Sequence, residues 1–180
     1  MRSQLVLTLI GRDRPGLVEA LAAEIARHGG NWEESRMAHL AGKFAGILRV
    51  SLPDESAAQL TQALARLERE GLRVIVEGAE ASAAAAASAR RLRLELVGND
   101  RQGIVRDISQ ALARRGVNVD ELHTTCEEAP MGGGQLFRAT ALLRVPSEIA
   151  IEELRAALEA LADDLMVELS LDAVADARPG

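Results

Sequence analysis

Leu5, Leu7 and Leu9 alternate with their neighbours as in a strand with one buried face. Leu17, Val18, Leu21 and Ile25 then recur at helical spacing, and Gly29 follows as a stop. Two extended runs, 31–40 and 44–52, are joined by Ala41-Gly42-Lys43, which suits a hairpin. Leu60, Leu64 and Leu67 predict a second helix, and Leu72, Val74 and Val76 a last strand. The order is βαββαβ.

The pattern then repeats. Shifting the chain by 87 positions sets Leu5, Leu7 and Leu9 on Leu92, Leu94 and Leu96, and Gly11-x-Asp13-Arg14-x-Gly16-x-Val18 on Gly98-x-Asp100-Arg101-x-Gly103-x-Val105. From Leu5 to Met37, 13 of 33 pairs are identical, including Gly29 with Gly116 and Asn31 with Asn118. Beyond that the offset becomes 93, with Phe44 on Phe137, Pro53 on Pro146 and Leu72 on Leu165. The second helix of the later copy carries Leu154, Leu158 and Leu161, and its last strand is expected to carry Leu165, Val167 and Leu169. About six extra residues fall between Thr124 and Phe137. They include Met131-Gly132-Gly133-Gly134, either a flexible arm or lid or a tolerated insertion.

Right-handed crossovers in a βαββαβ chain favour a four-stranded antiparallel sheet with both helices on one face. The expected class is therefore α+β, two ferredoxin-like domains. Their boundaries are read as 1–79 and 92–173, with the Ala-rich 80–91 as a linker and 174–180 as a disordered tail. A short helix is the alternative for the Ala-rich stretch.

Composition narrows the function classes. With two Phe, one Trp and no Tyr, the core must be aliphatic, and a sheet that stacks RNA bases on aromatic rings is disfavoured. The formal charge of −6 argues against direct nucleic-acid binding, which draws on clustered Lys and Arg. The apolar start at 5–10 is short for a signal sequence and runs at once into Arg12-Asp13-Arg14, and no stretch has bilayer-crossing length. A single cysteine, Cys126, allows no internal disulfide, and the expected compartment is the cytoplasm. His28, His39 and His123 lack paired metal-ligand spacing, so no metal or other cofactor is expected. Neither Ser35 nor Cys126 is marked as an activated nucleophile, and no residue stands out as catalytic.

The twice-repeated loop is the candidate site. A strand-to-helix loop presents unpaired N–H groups where the helix dipole also favours negative charge. Arg14 and Arg101 suit a carboxylate, Asp13 and Asp100 an ammonium group, and Gly16 and Gly103 leave the backbone open to approach. Asn31 and Asn118 offer a donor and an acceptor. A purely architectural reading stands beside this one, with Asp13 as helix cap, Pro15 suited to the first turn and Gly16 needed for close packing. The second copy has Asn99 for Arg12 and Gln102 for Pro15, so the two loops need not bind the same ligand.

The stretch GRDRPGLVEALAAEIARHGGNWEESRM resembles the Asp-Arg-Pro-Gly subgroup of the ACT domain family, βαββαβ modules that usually bind amino acids and regulate an associated protein. Two copies without a catalytic domain, together with residues 31–50, resemble the glycine cleavage system transcriptional repressor family. The resemblance implies a regulator that senses a small amino acid, glycine favoured, and acts by contacting a DNA-binding activator rather than DNA or a membrane. It carries ligand contacts onto Asp13, Arg14, Pro15, Gly16, Asp100, Arg101 and Gly103. Two further readings stay open: a ligand-independent adaptor built from paired domains, and a small enzyme. Pairing with a second copy through open sheet edges also stays open.

Overall fold

The computed structural model describes residues 1–79, 89–129 and 133–174. The chain divides into two compact units, Met1–Ala81 and Ser82–Gly180. In the first, the order is β1 (Arg2–Arg12), α1 (Leu17–Arg27), β2 (Asn31–Leu40), β3 (Lys43–Pro53), α2 (Ala57–Arg66) and β4 (Leu72–Gly78). In the second it is β5 (Arg90–Asn99), α3 (Ile104–Ala113), β6 (Asn118–Glu128), β7 (Gln135–Val145), α4 (Ile151–Leu165) and β8 (Val167–Ala173). Each unit forms one antiparallel sheet, ordered β2-β3-β1-β4 and β6-β7-β5-β8. Both are ferredoxin-like, as the periodicity predicts.

Each core is the meeting of one sheet face with two helical stripes. Leu7, Leu9, Leu48, Val50 and Leu52 of the first sheet pack with Leu17, Leu21 and Ile25 of α1 and Leu60 and Leu64 of α2. In the second unit the matching stripe is Ile104, Ile108 and Leu112 on α3, with Leu154, Leu158 and Leu165 on α4. Val18 and Val105, which the spacing assigns to these stripes, are 46% and 42% exposed and lie on their rims.

The glycines that close the first helices do so as expected. Gly29 and Gly116 have φ of 70° and 67°, and the N–H groups of Gly30 and Val117 donate to the carbonyls of Ile25 and Leu112. That bond pattern satisfies carbonyls at the helix end. The first hairpin turns in two residues, Ala41 and Gly42, both with positive φ, the geometry that matches strand twist. In the second hairpin the Ala129 N–H donates to the Gly134 carbonyl at 2.8 Å; residues 130–132 of the longer loop lie outside the described residues.

Three sequence expectations need correction. The last strand of the second unit is Val167–Ala173, not a strand on Leu165: Gly11 pairs with Leu72 whereas Gly98 pairs with Val167. The reason is that α4 runs unbroken for 15 residues to Leu165, a core residue of the helix, and the chain turns at Met166 with φ of 54°. Second, β5 begins at Arg90, inside the stretch 80–91 read as linker. Arg90 and Arg91 pair with Val145 and Arg144, and the Arg90 guanidinium donates to the Ile149 carbonyl. Residues 80–88 and 175–180 lie outside the described residues; Val174, in the expected tail, donates its N–H to the Arg91 carbonyl. Third, Asp13 does not cap α1, because the N-cap position belongs to Gly16.

The first glycine of each repeated motif is fixed by strand packing. A Cβ at Gly11 would stand 2.6 Å from the Gly71 carbonyl oxygen, and one at Gly98 would stand 2.4 Å from Val167 Cγ1. Gly78 on the same sheet has nothing within 4 Å of its Cβ position. Gly11→Ala is expected to destabilise the first unit by about 1–3 kcal/mol through overpacking, and Gly78→Ala by less than about 0.5 kcal/mol. Denaturant unfolding of both variants checks this; equal midpoints would contradict the packing account.

Candidate functional site

The site region begins where β1 hands the chain to α1. Gly16 takes φ of 90° and ψ of −1°, and Gly103 takes 93° and −1° before α3. With glycine at the N-cap, neither helix has a side-chain cap. The first-turn N–H groups, Leu17, Val18 and Glu19 in α1 and Ile104, Val105 and Arg106 in α3, have no acceptor within their helix. They carry the positive end of the helix dipole. The Ala20 and Asp107 N–H groups, one turn in, donate to the Gly16 and Gly103 carbonyls at 2.9 Å each.

The loop is anchored at its base in both units. The Asp13 N–H donates to the Gly42 carbonyl at 3.0 Å, and the Asp100 N–H donates to the Gln135 carbonyl at 2.8 Å. This holds the strand end against the hairpin, three residues ahead of the N-cap glycine, and neither Asp side chain caps the helix. Asp13 Oδ2 lies 3.6 Å from His39 Nε2, in an exposed setting. Arg14 turns to the other side, donating to the Glu70 carbonyl at 3.0 Å with the Glu70 carboxylate at 3.9 Å. Both side chains are about half exposed, so this contact is worth less than about 1 kcal/mol and can exchange for another carboxylate.

Between loop and helix lies an open depression of about 490 Å³, lined by Asp13, Arg14, Gly16, Val18, Glu19 and Phe44 among others. Pro15 does not line it; it sets the chain just ahead of the N-cap. The lining offers N–H groups and a guanidinium for an anionic end, carboxylates for a cationic end, and one ring beside them. A small zwitterion matches that set better than a bare anion, because Asp13 and Glu19 would repel the latter.

The second loop shares the backbone but not the charges. Arg101 and Asp100 side chains make no hydrogen bond or ion pair among the described residues. Arg106 stands where the first unit has Glu19, and its guanidinium reaches within 3.2 Å of the Cβ position at Gly103. Arg106 Nε donates to Asp107 at 2.8 Å, and this bond raises the Arg106 pKa above its ordinary value, keeping the positive charge fixed.

Asn31 and Asn118 are not brought to their own loops. Asn31 pairs with Ser51, which pairs with Gln4, seven residues back along β1 from Gly11 and roughly 23 Å away. Asn118 pairs with Arg144, opposite Arg91, and is equally far from Gly98. Trp32, beside Asn31 and donating to Ser35 Oγ at 3.2 Å, sits at the same distant end. Sequence reasoning missed Glu70 and Glu19 as neighbours of the loop. Phe44 carried a signal, since it aligns with Phe137. Among the described residues there is no cluster of three or more metal-ligating side chains, and no helix is long and apolar enough to cross a membrane.

The sequence model of the ACT domain matches residues 3–77. A UPF0237 protein of Methanopyrus kandleri is 36% identical over 75 residues, 40% of this chain and 83% of that protein. The crystal structure of an unknown protein from Galdieria sulphuraria superposes with a TM-score of 0.87 at 29% identity, covering 97% of this chain and 100% of that one. A second crystal structure, of a candidate glycine cleavage system transcriptional repressor, gives a TM-score of 0.71 at 20% identity, covering 98% and 99%. The chain belongs to the ACT domain family, and its fold is two ACT-type units in tandem.

The left-handed glycine gives a test of the loop geometry. A Cβ at Gly16 meets nothing within 4 Å, so Gly16→Ala adds only the cost of a left-handed conformation, about 1–2 kcal/mol. Chemical denaturation reads this cost. A neutral substitution would show that the loop does not hold the backbone described here.

Proposed function

We propose that this protein is a non-enzymatic, amino-acid-sensing regulatory protein of the cytoplasm. A small amino acid, glycine favoured, binds at the loop of residues 13–16, its carboxylate on the α1 first-turn N–H groups and Arg14 and its ammonium group on Asp13. The observation that carries this reading is the uncapped start of α1 opening onto a depression bordered by both charge signs. The loop of Asp100, Arg101 and Gly103 is the second such site. Asn31 and Asn118, far from their own loops, take no part in binding at the loop of their own unit.

Binding becomes a signal only if the ligand favours one arrangement of the protein over another. In this proposal that arrangement changes affinity for a protein partner, a DNA-binding activator of glycine cleavage genes. The likeness to a candidate glycine cleavage system transcriptional repressor supports the choice of pathway, and the charge of −6 supports contact with protein rather than with phosphate. One observation favours the alternative, an adaptor that works without ligand: Arg14 already has a protein acceptor in Glu70.

Titration calorimetry with glycine separates the two. A sensor gives saturable heat that weakens about tenfold or more in Arg14→Ala, as for a lost charged hydrogen bond, while the circular dichroism spectrum is unchanged. No heat with glycine or any other small α-amino acid would contradict the proposal and favour the adaptor.

A further inference from the structure

The two units fill the space between their first helix and the sheet differently. In the first unit Trp32, Met37 and Leu48 line this region, with Leu48 fully buried and Trp32 and Met37 packed against the core. Register places Val119, Thr124 and Ala141 at the matching positions: Trp32 pairs with Val50 and Val119 with Leu143, while Leu7 faces Leu48 and Leu94 faces Ala141. Each exchange removes bulk. Two exchanges return some of it, Gly46 to Ala139 and Ser35 to Leu122, but Leu122 stands on the edge strand and is 47% exposed. An indole is not replaced by either.

The result is an apolar crevice between α3 and the sheet, walled by Val105, Ile108, Val119, Leu122, Phe137 and Ala141 among others. It leaves about 30 Å³ for the centre of a water-sized group, against the roughly 10–15 Å³ that one water needs. Two or three carbon-sized groups fit, and the lining gives water almost nothing to bond. The crevice starts at the loop, because Ile104 and Val105 follow Gly103 directly and Phe137 pairs with Gly98. Arg101, without a partner among the described residues, stands at the same end.

We infer that the second unit binds an amino acid with a branched aliphatic side chain, its polar end at Asp100, Arg101 and Gly103 and the branched tip of its alkyl group in the crevice beside α3. This rests on the amino-acid reading above and deepens it: the first unit takes a small ligand, the second a branched one. The apolar group gains by leaving water for a dry wall, and the void regains the contacts that the missing side chains forfeit.

The test is a titration of the full chain, carrying 15N backbone amides and 13C-labelled Val, Leu and Ile methyls, with unlabelled L-leucine and with L-alanine. L-leucine should bind roughly tenfold or more tightly than L-alanine and shift the methyls of Val105, Val119 and Leu122. Val119→Trp, which restores the residue of the first unit, should remove that preference. Ala141→Leu does the same from the floor of the crevice and serves if the tryptophan variant does not fold. Equal affinity for the two amino acids, with shifts only at residues 100–103, would overturn the crevice inference and leave amino-acid sensing standing. No response to L-leucine, L-alanine or glycine anywhere in the chain would overturn both.

Discussion

At Gly16 and Gly103 the backbone enters a helix from the left-handed region, and the chemistry of both loops depends on that turn. A residue with a Cβ pays about 1–2 kcal/mol to sit there. A glycine there also forgoes the serine, threonine or aspartate that usually bonds the first-turn N–H groups. The helix therefore starts with its donors unspent and its dipole uncompensated by a cap. The hairpin bond to Asp13 or Asp100 fixes where those donors point, since it holds the strand end within 3.0 Å of the turn beyond it.

From this shared frame the copies diverge at the side chains. The first loop places Arg14 on Glu70 and has Glu19 on the first turn, so its field is mixed and its arginine is held by an exchangeable contact. The second has Arg106 where Glu19 stood and an Arg101 with no partner among the described residues. The two copies thus share one loop backbone, bordered in the first by side chains of both charge signs and in the second by an apolar crevice. The departures at Asn99 and Gln102 leave the loop backbone and its anchoring bond unchanged.

How much of this was legible follows from which interactions are local. Alternating leucines, helical stripes and the stops at Gly29 and Gly116 are short-range, and they gave the element order and the fold. The last strand was misplaced because Leu165 matches Leu72 in kind although it belongs to a helix core; only the pairing of Gly98 with Val167 distinguishes them. The repeated glycines were legible as special but not as to why. Gly11 avoids the carbonyl of Gly71, sixty residues away, while Gly16 supplies a dihedral angle. The roles of Glu70 and of the exchange of Trp32 for Val119 depend on contacts between distant elements, which spacing along the chain does not encode.

The open start of α1 is proposed as a ligand site rather than only a turn. Backbone amide NMR of the full chain during a glycine titration tests it most directly, because Trp32 lies at the far end of the sheet and its fluorescence is remote from the loop. Glycine bound at the helix start gives saturable shifts at the Leu17, Val18 and Glu19 amides, with the Arg14 guanidinium signal moving in step. Amides that stay in place at glycine concentrations well above those of the cell would contradict it.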